Sequence, residues 1–206
     1  MLSLSPTKIV CVGRNYAAHA KELGNEVPKQ PLLFLKPPSS LIRSGESIRL
    51  PTVSNRVEYE GEIGIVIGRR LRKASLDEAR DAIVNVCAAN DVTARDLQKS
   101  DVQFTRAKGF DTFCAVGELG TVPNDLADLR VRTLVNGEVR QDGRASDMVF
   151  DIPTLVSYIS AVMTLEPGDL VLTGTPEGVG TLAAGDVVEV EIAGVSRVSN
   201  PVTNDD

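Results

Sequence analysis

The sequence predicts a β-rich α+β domain with a few short helices. Three observations carry that expectation. Most apolar runs are short and rich in β-branched residues, as in 61–67 and 187–192. An Asn136-Gly137 pair sits between two strand-like segments, the pattern of a tight hairpin turn. Few segments read as long helices, the clearest helix starts lying at Ser75 and Asp151.

In chain order, Lys8 to Val12 reads as a strand, and Tyr16 to Leu23 as a helix stopped by Gly24. Pro31 to Lys36 is a strand broken by Pro37-Pro38, and Gly61 to Ile67 a further strand. Ser75, with Glu78 three residues on, forms a capping box for a helix reaching about Val84. Asn85 to Asn90 suits a buried strand, and Thr93 to Lys99 a short helix capped by Thr93 or Asp91. Arg130 to Val135 and Glu138 to Gln141 are the arms of the hairpin. Asp151 caps a helix with proline in its first turn, running to about Met163 with Leu155, Val156, Ile159 and Val162 on its apolar face. Leu170 to Thr173 and Val187 to Ile192 complete the strands, and the tail from Asn204 to Asp206 is expected to fray. No linker divides the 206 residues, so one domain over 1–206 is expected.

Composition narrows the function. A net charge of -6 argues against a nucleic-acid partner. No apolar run is long enough for a membrane span, and Met1 to Lys8 lacks the pattern of a signal peptide, so a cytoplasmic location is expected. Cys11, Cys87 and Cys114 form no CxxC pair and read as buried reduced thiols. His19 is the single histidine, which excludes a zinc site built on several imidazoles; any metal must be held mainly by oxygen, favouring Mg, Mn or Ca.

Five clusters could carry chemistry. Glu58, Glu60 and Glu62 alternate, so on one strand they share a face and repel unless water or a cation screens them. They read either as a solvated strand edge or as a metal cup at the mouth of the core strand that follows. Asp91 ends an apolar run at a helix start, as a cap or as a ligand; Arg95 and Gln98 fall on the same helical face. An arginine beside such a cup can take a substrate carboxylate bidentately, or pair with a nearby acid. Lys108 lies in a tight Lys-Gly-Phe-Asp segment, and Thr175 in a glycine-rich loop that is no P-loop. His19 and Glu22, three apart on a helix, suit a carboxylate-oriented base, or an exposed ion pair.

The order and wording of these motifs add what each lacks alone. Gly13-Arg14-Asn15-Tyr16-Ala17-Ala18-His19, Tyr59-Glu60-Gly61-Glu62, Asn90-Asp91-Val92-Thr93-Ala94-Arg95-Asp96, Lys108-Gly109-Phe110-Asp111-Thr112-Phe113 and Thr173-Gly174-Thr175-Pro176-Glu177-Gly178-Val179-Gly180 closely resemble the fumarylacetoacetate hydrolase family, from about Lys8 to Val202. The chain is similar to its short branch of acylpyruvate hydrolases and oxaloacetate decarboxylases.

The resemblance implies a mixed β-sandwich roll, barrel-like, and a homodimer. It implies Glu60, Glu62 and Asp91 as ligands of Mg2+ or Mn2+, with Glu58 outside the set. His19, Glu22 and Lys108 are then catalytic, and Arg95, Gln98 and Thr175 face a small anionic 2-oxo acid. The expected reaction is C–C hydrolysis of an acylpyruvate, in which His19 activates water and a pyruvate enolate leaves. Oxaloacetate decarboxylation, and isomerisation or decarboxylation of unsaturated diacids such as 2-hydroxyhepta-2,4-diene-1,7-dioate, would use the same enolate. A catalytically silent metal-binding domain is the reading from another class.

Overall fold

The computed structural model describes residues 4–205. In chain order the elements are β1 (Ile9–Gly13), α1 (Ala17–Glu22), β2 (Leu32–Lys36), β3 (Leu41–Arg43), β4 (Ile48–Leu50), β5 (Val57–Tyr59), β6 (Gly61–Ile67), α2 (Leu76–Asp81), β7 (Ile83–Asp91), β8 (Thr93–Ala94), α3 (Arg95–Ser100), α4 (Thr105–Lys108), β9 (Cys114–Val116), β10 (Arg130–Val135), β11 (Glu138–Arg144), α5 (Ile152–Val162), β12 (Leu170–Leu172), β13 (Gly180–Thr181), β14 (Val187–Ile192) and β15 (Ser196–Asn204). The β-rich α+β expectation holds.

The central sheet has seven strands in the order β2-β1-β12-β6-β7-β9-β3. Alternation along its strands gives two faces with different chemistry. One carries Ile63, Ile65, Ile67, Val86, Ala88 and Val171 and packs on Val131, Val190, Ile192 and Val198 of the five-stranded sheet β11-β10-β14-β15-β4, and on Leu155 and Ile159 of α5. The other carries Ile9, Cys11, Cys87, Ala89, Cys114 and Leu172. Phe34 of β2 and Leu41 of β3, from opposite edges of the sheet, both pack on that second cluster, so the sheet curls around it. At Gly64 there is no room for a side chain: a Cβ there would lie 2.7 Å from Cys87 Sγ. The three cysteines are free and buried, as expected, and burial raises all three thiol pKa values, those of Cys87 and Cys114 to about 12.

Several boundaries differ from the sequence reading. Helix α2 has the expected capping box, with Glu78 N–H donating to Ser75 Oγ at 3.2 Å and Ser75 N–H to Glu78 Oε2 at 2.8 Å. It ends at Asp81 rather than near Val84, because Ile83 already pairs with Ile67. The strand that follows is longer than Asn85 to Asn90 and takes in Asp91, which pairs with Cys114. Neither Asp91 nor Thr93 caps a helix: Thr93 lies in β8 and α3 starts at Arg95. The hairpin turn has left-handed Asn136 (φ 53) and Gly137 (φ 82), as an Asn-Gly turn requires, and its second arm extends to Arg144. Val162 is 60% exposed at the last position of α5, outside the apolar stripe it was assigned to. The tail is ordered further than expected, since β15 pairs in parallel with β4 through Asn204 and Asp205 N–H donates to Leu50 O; Asp206 lies outside the described residues.

Candidate metal centre and cavity

A cavity of about 460 Å³ opens where β6 begins and β7 ends. The two strands pair from Gly61–Asn90 down to Ile67–Ile83, which brings Glu62 and Asp91 to one end of the curled face. The glutamates do not share one strand. β5 belongs to a small sheet with β8 and β13, β6 to the central sheet, and the chain turns between them at Glu60. There the Glu60 N–H donates to the Asn90 side chain at 3.0 Å instead of to a strand partner. Glu58 lies outside the three-carboxylate group, although Arg95 bridges it to Glu60.

Glu60, Glu62 and Asp91 are all buried and offer carboxylate oxygens within 4.8 Å of one another. Burial alone pushes the Glu60 carboxyl up, but the Lys108 ammonium and Arg95 guanidinium beside it hold it well below the usual carboxylate range. Lys108 Nζ donates to Glu60 Oε2 at 2.7 Å and Asp91 Oδ2 at 2.6 Å. Burial opposes that charge, but the two carboxylates outweigh it and push the ammonium up to about 12, so Lys108 stays protonated at neutral pH. Its Nζ also stands 5.0 Å from the Phe34 ring centroid. Lys36, missed in the sequence reading, is 1% exposed and donates to Asp91 Oδ1 at 2.5 Å and Val92 O at 3.1 Å.

Glu62 differs from its neighbours. It accepts the Gly174 N–H at 2.6 Å and, among the described residues, has no cationic side chain in ion-pair contact. Burial, then the Asp91 and Glu60 charges, push its carboxyl well up. A buried carboxylate without a counter-charge, close to two others, could hold a cation with them. The donor set is all oxygen, which suits Mg2+ or Mn2+.

Arg95, 2% exposed, is fixed on three sides. Its Nε donates to Glu58 Oε2 at 2.7 Å, Nη1 to Gln98 Oε1 at 2.6 Å, and Nη2 to Glu60 Oε1. Of the two sequence alternatives for Arg95 the structure shows the ion pair; with Gln98 it also lines the cavity. On α1, His19 Nδ1 lies 3.2 Å from Glu22 Oε2, and Glu22 Oε1 accepts the Gly178 N–H at 3.0 Å. The second carboxylate oxygen therefore ties α1 to the glycine-rich loop. His19, Glu22, Lys108 and Thr175 line the same cavity as the three acids.

Thr175 is more constrained than its motif suggests. Its hydroxyl donates to Gly61 O at 2.8 Å and accepts from Gln141 Nε2 at 2.8 Å. Gln141, 1% exposed on β11, also donates to Pro176 O at 2.8 Å and accepts the Gly61 N–H at 2.9 Å. One amide thus locks the residue between Glu60 and Glu62 to the Gly-Thr-Pro loop. Gly61 itself is required there, since a Cβ would lie 1.9 Å from Thr133 Oγ1.

The comparisons with known proteins give the family. Residues 8–203 match the family described as fumarylacetoacetate (FAA) hydrolase C-terminal, and the chain belongs to that family. It is 46% identical to the mitochondrial oxaloacetate tautomerase FAHD1 of Arabidopsis thaliana, over 93% of this chain and 89% of that protein. It is 45% identical to the mitochondrial oxaloacetate decarboxylase of Dictyostelium discoideum, over 91% of this chain and 89% of that protein. The crystal structure of 2-hydroxyhepta-2,4-diene-1,7-dioate isomerase from Mycobacterium marinum superposes with a TM-score of 0.89 at 48% identity, covering 98% of this chain and 76% of that one. Family relatives are thus named as enzymes. No helix of the described residues is long and apolar enough to cross a membrane.

Proposed function

We infer that this protein is a divalent-metal-dependent enzyme that converts a 2-oxo acid through its enolate. The observation that carries the reading is the buried triad Glu60, Glu62 and Asp91, with Glu62 lacking a cationic partner, in one cavity with His19 and Lys108. These three residues would hold Mg2+ or Mn2+. Such an ion supplies Lewis acidity toward the carboxylate and keto oxygens of a 2-oxo acid.

The chain's own residues supply the rest. Glu22 engages His19 Nδ1, which leaves Nε2 to take a proton from the carbon next to the keto group. Lys108, whose Nζ sits beside Glu60 and Asp91 in the cavity, stabilises the negative charge that develops on the enolate oxygen. Returning the proton to the oxygen yields the enol, a tautomerisation, and the names of the oxaloacetate tautomerase and the unsaturated diacid isomerase support this order of preference. The second reading is C–C cleavage, by hydrolysis of an acylpyruvate or by decarboxylation. The same His19–Glu22 pair favours hydrolysis, because an oriented imidazole can activate water as readily as it can accept a carbon-bound proton.

The test is proton–deuterium exchange at C3 of pyruvate and of oxaloacetate, followed by NMR with Mg2+ and the full-length protein. Exchange that is metal-dependent and lost in His19→Asn is expected. Exchange that survives His19→Asn would remove His19 from the proton transfer. Release of pyruvate from acetylpyruvate faster than C3 exchange would promote the hydrolytic reading.

A further inference from the structure

The triad leaves one carboxylate and one guanidinium unused. Glu58 is fully buried, yet it is no part of the metal triad. Its two oxygens face two different arginines: Oε2 accepts from Arg95 Nε at 2.7 Å, and Oε1 from Arg56 Nε at 2.6 Å. Arg56 is held a second time by its backbone, whose carbonyl accepts the Arg95 N–H at 2.7 Å.

The two arginines have different fates. Arg95 spends its guanidinium on Glu58, Glu60 and Gln98. Arg56 is anchored through Nε alone, its side chain is 52% exposed, and it lines the cavity that holds Glu60, Glu62 and Asp91. Among the described residues nothing accepts from its Nη edge. That edge is a planar pair of donors whose geometry matches a carboxylate, and the Glu58 brace orders it in advance, so little freedom is lost on binding. Lys36 and Lys108 are each committed to acids of the triad. Arg14 and Lys99 also line the cavity and add positive charge to it, and Glu22 is its acid outside the triad.

We propose that Arg56, braced by Glu58, is the specificity-determining residue that receives a second, distal carboxylate, so that 2-oxo dicarboxylates are preferred over 2-oxo monocarboxylates. Glu58 is the positioning residue. The proposal rests on the 2-oxo acid reading, and the experiment separates the two. Full-length protein with saturating Mg2+ is titrated by calorimetry with pyruvate, 2-oxoglutarate and 2-oxoadipate, none of which carries a β-carboxylate to lose.

Wild type binds at least one diacid more tightly than pyruvate. Arg56→Gln weakens the better diacid roughly 10- to 100-fold, the range for a charge-assisted pair, and leaves pyruvate within about twofold. Glu58→Gln also lowers the diacid-to-pyruvate ratio, and that effect disappears in the Arg56→Gln background, a coupling that a merely structural glutamate would not show. Equal weakening of pyruvate and diacid, or an unchanged diacid, overturns the assignment of Arg56. Binding of no 2-oxo acid by the folded wild type overturns the 2-oxo acid reading itself, and the proposal with it.

Discussion

Replacing Gln141 with alanine tests how the site is held together. The side chain is 1% exposed and makes three hydrogen bonds, to Gly61 N, Thr175 Oγ1 and Pro176 O, between 2.8 and 2.9 Å. Each neutral bond contributes about 1 kcal/mol net, and the Gly61 N–H and Pro176 carbonyl lose their partners in a buried place. The truncation also leaves a void, so the expected loss is about 3–5 kcal/mol. For a chain of this size that lowers Tm by roughly 6–20 °C. Urea unfolding and calorimetry of the variant measure it. Gln141→Glu is the second arm: it keeps an acceptor for Gly61 but faces the Pro176 carbonyl with a carboxylate. Its buried carboxyl has a raised pKa in the folded state, so its stability is greatest at acidic pH and is lost as pH rises through that value. A loss under about 1 kcal/mol for Gln141→Ala, with unchanged metal affinity, would refute the idea that this amide ties the ligand strand to the loop.

Lys108→Met is expected to raise Mg2+ affinity roughly tenfold or more, because it removes a competing positive charge from Glu60 and Asp91, while turnover falls; weaker metal binding would contradict that. Asp169→Asn is expected to destabilise by about 2–4 kcal/mol, since one oxygen then becomes an amide facing the Glu166 N–H and the Lys8 ammonium. Burial raises the Asp169 pKa, but bonds from Lys8, Glu166 and Thr7 outweigh it and set it below the ordinary value. The stabilisation is therefore present at neutral pH and lost as pH falls through the folded value, and unfolding curves of wild type and variant should converge below about pH 4.

What the sequence made legible depended on how local the cause was. The Ser75–Glu78 box and the Asn136-Gly137 turn are set within four residues, and both formed as read. Asp91 lies beside Glu60 and Glu62 but caps no helix, because pairing with Cys114 across the sheet extends its strand. Glu58, Glu60 and Glu62 looked like one row; the change of sheet at Glu60 that splits them is a tertiary event with no signature in the spacing. Lys36 had a faint signal, a lone charge closing an apolar strand before two prolines. Gln141 had none beyond its alternation, since its partners lie 34 to 80 residues away.

Turnover by metal-stripped protein, titrated with Mg2+ or Mn2+ and supplied in turn with oxaloacetate, acetylpyruvate, fumarylpyruvate and an unsaturated heptadienedioate, tests the central claim most directly. Activity on at least one substrate should be absent without metal, appear with metal in proportion to a single bound ion, and vanish with that ion's binding in Glu62→Gln. Full activity without metal, or a Glu62→Gln variant that binds the ion and turns over like the wild type, would contradict the assignment of the Glu60–Glu62–Asp91 cup.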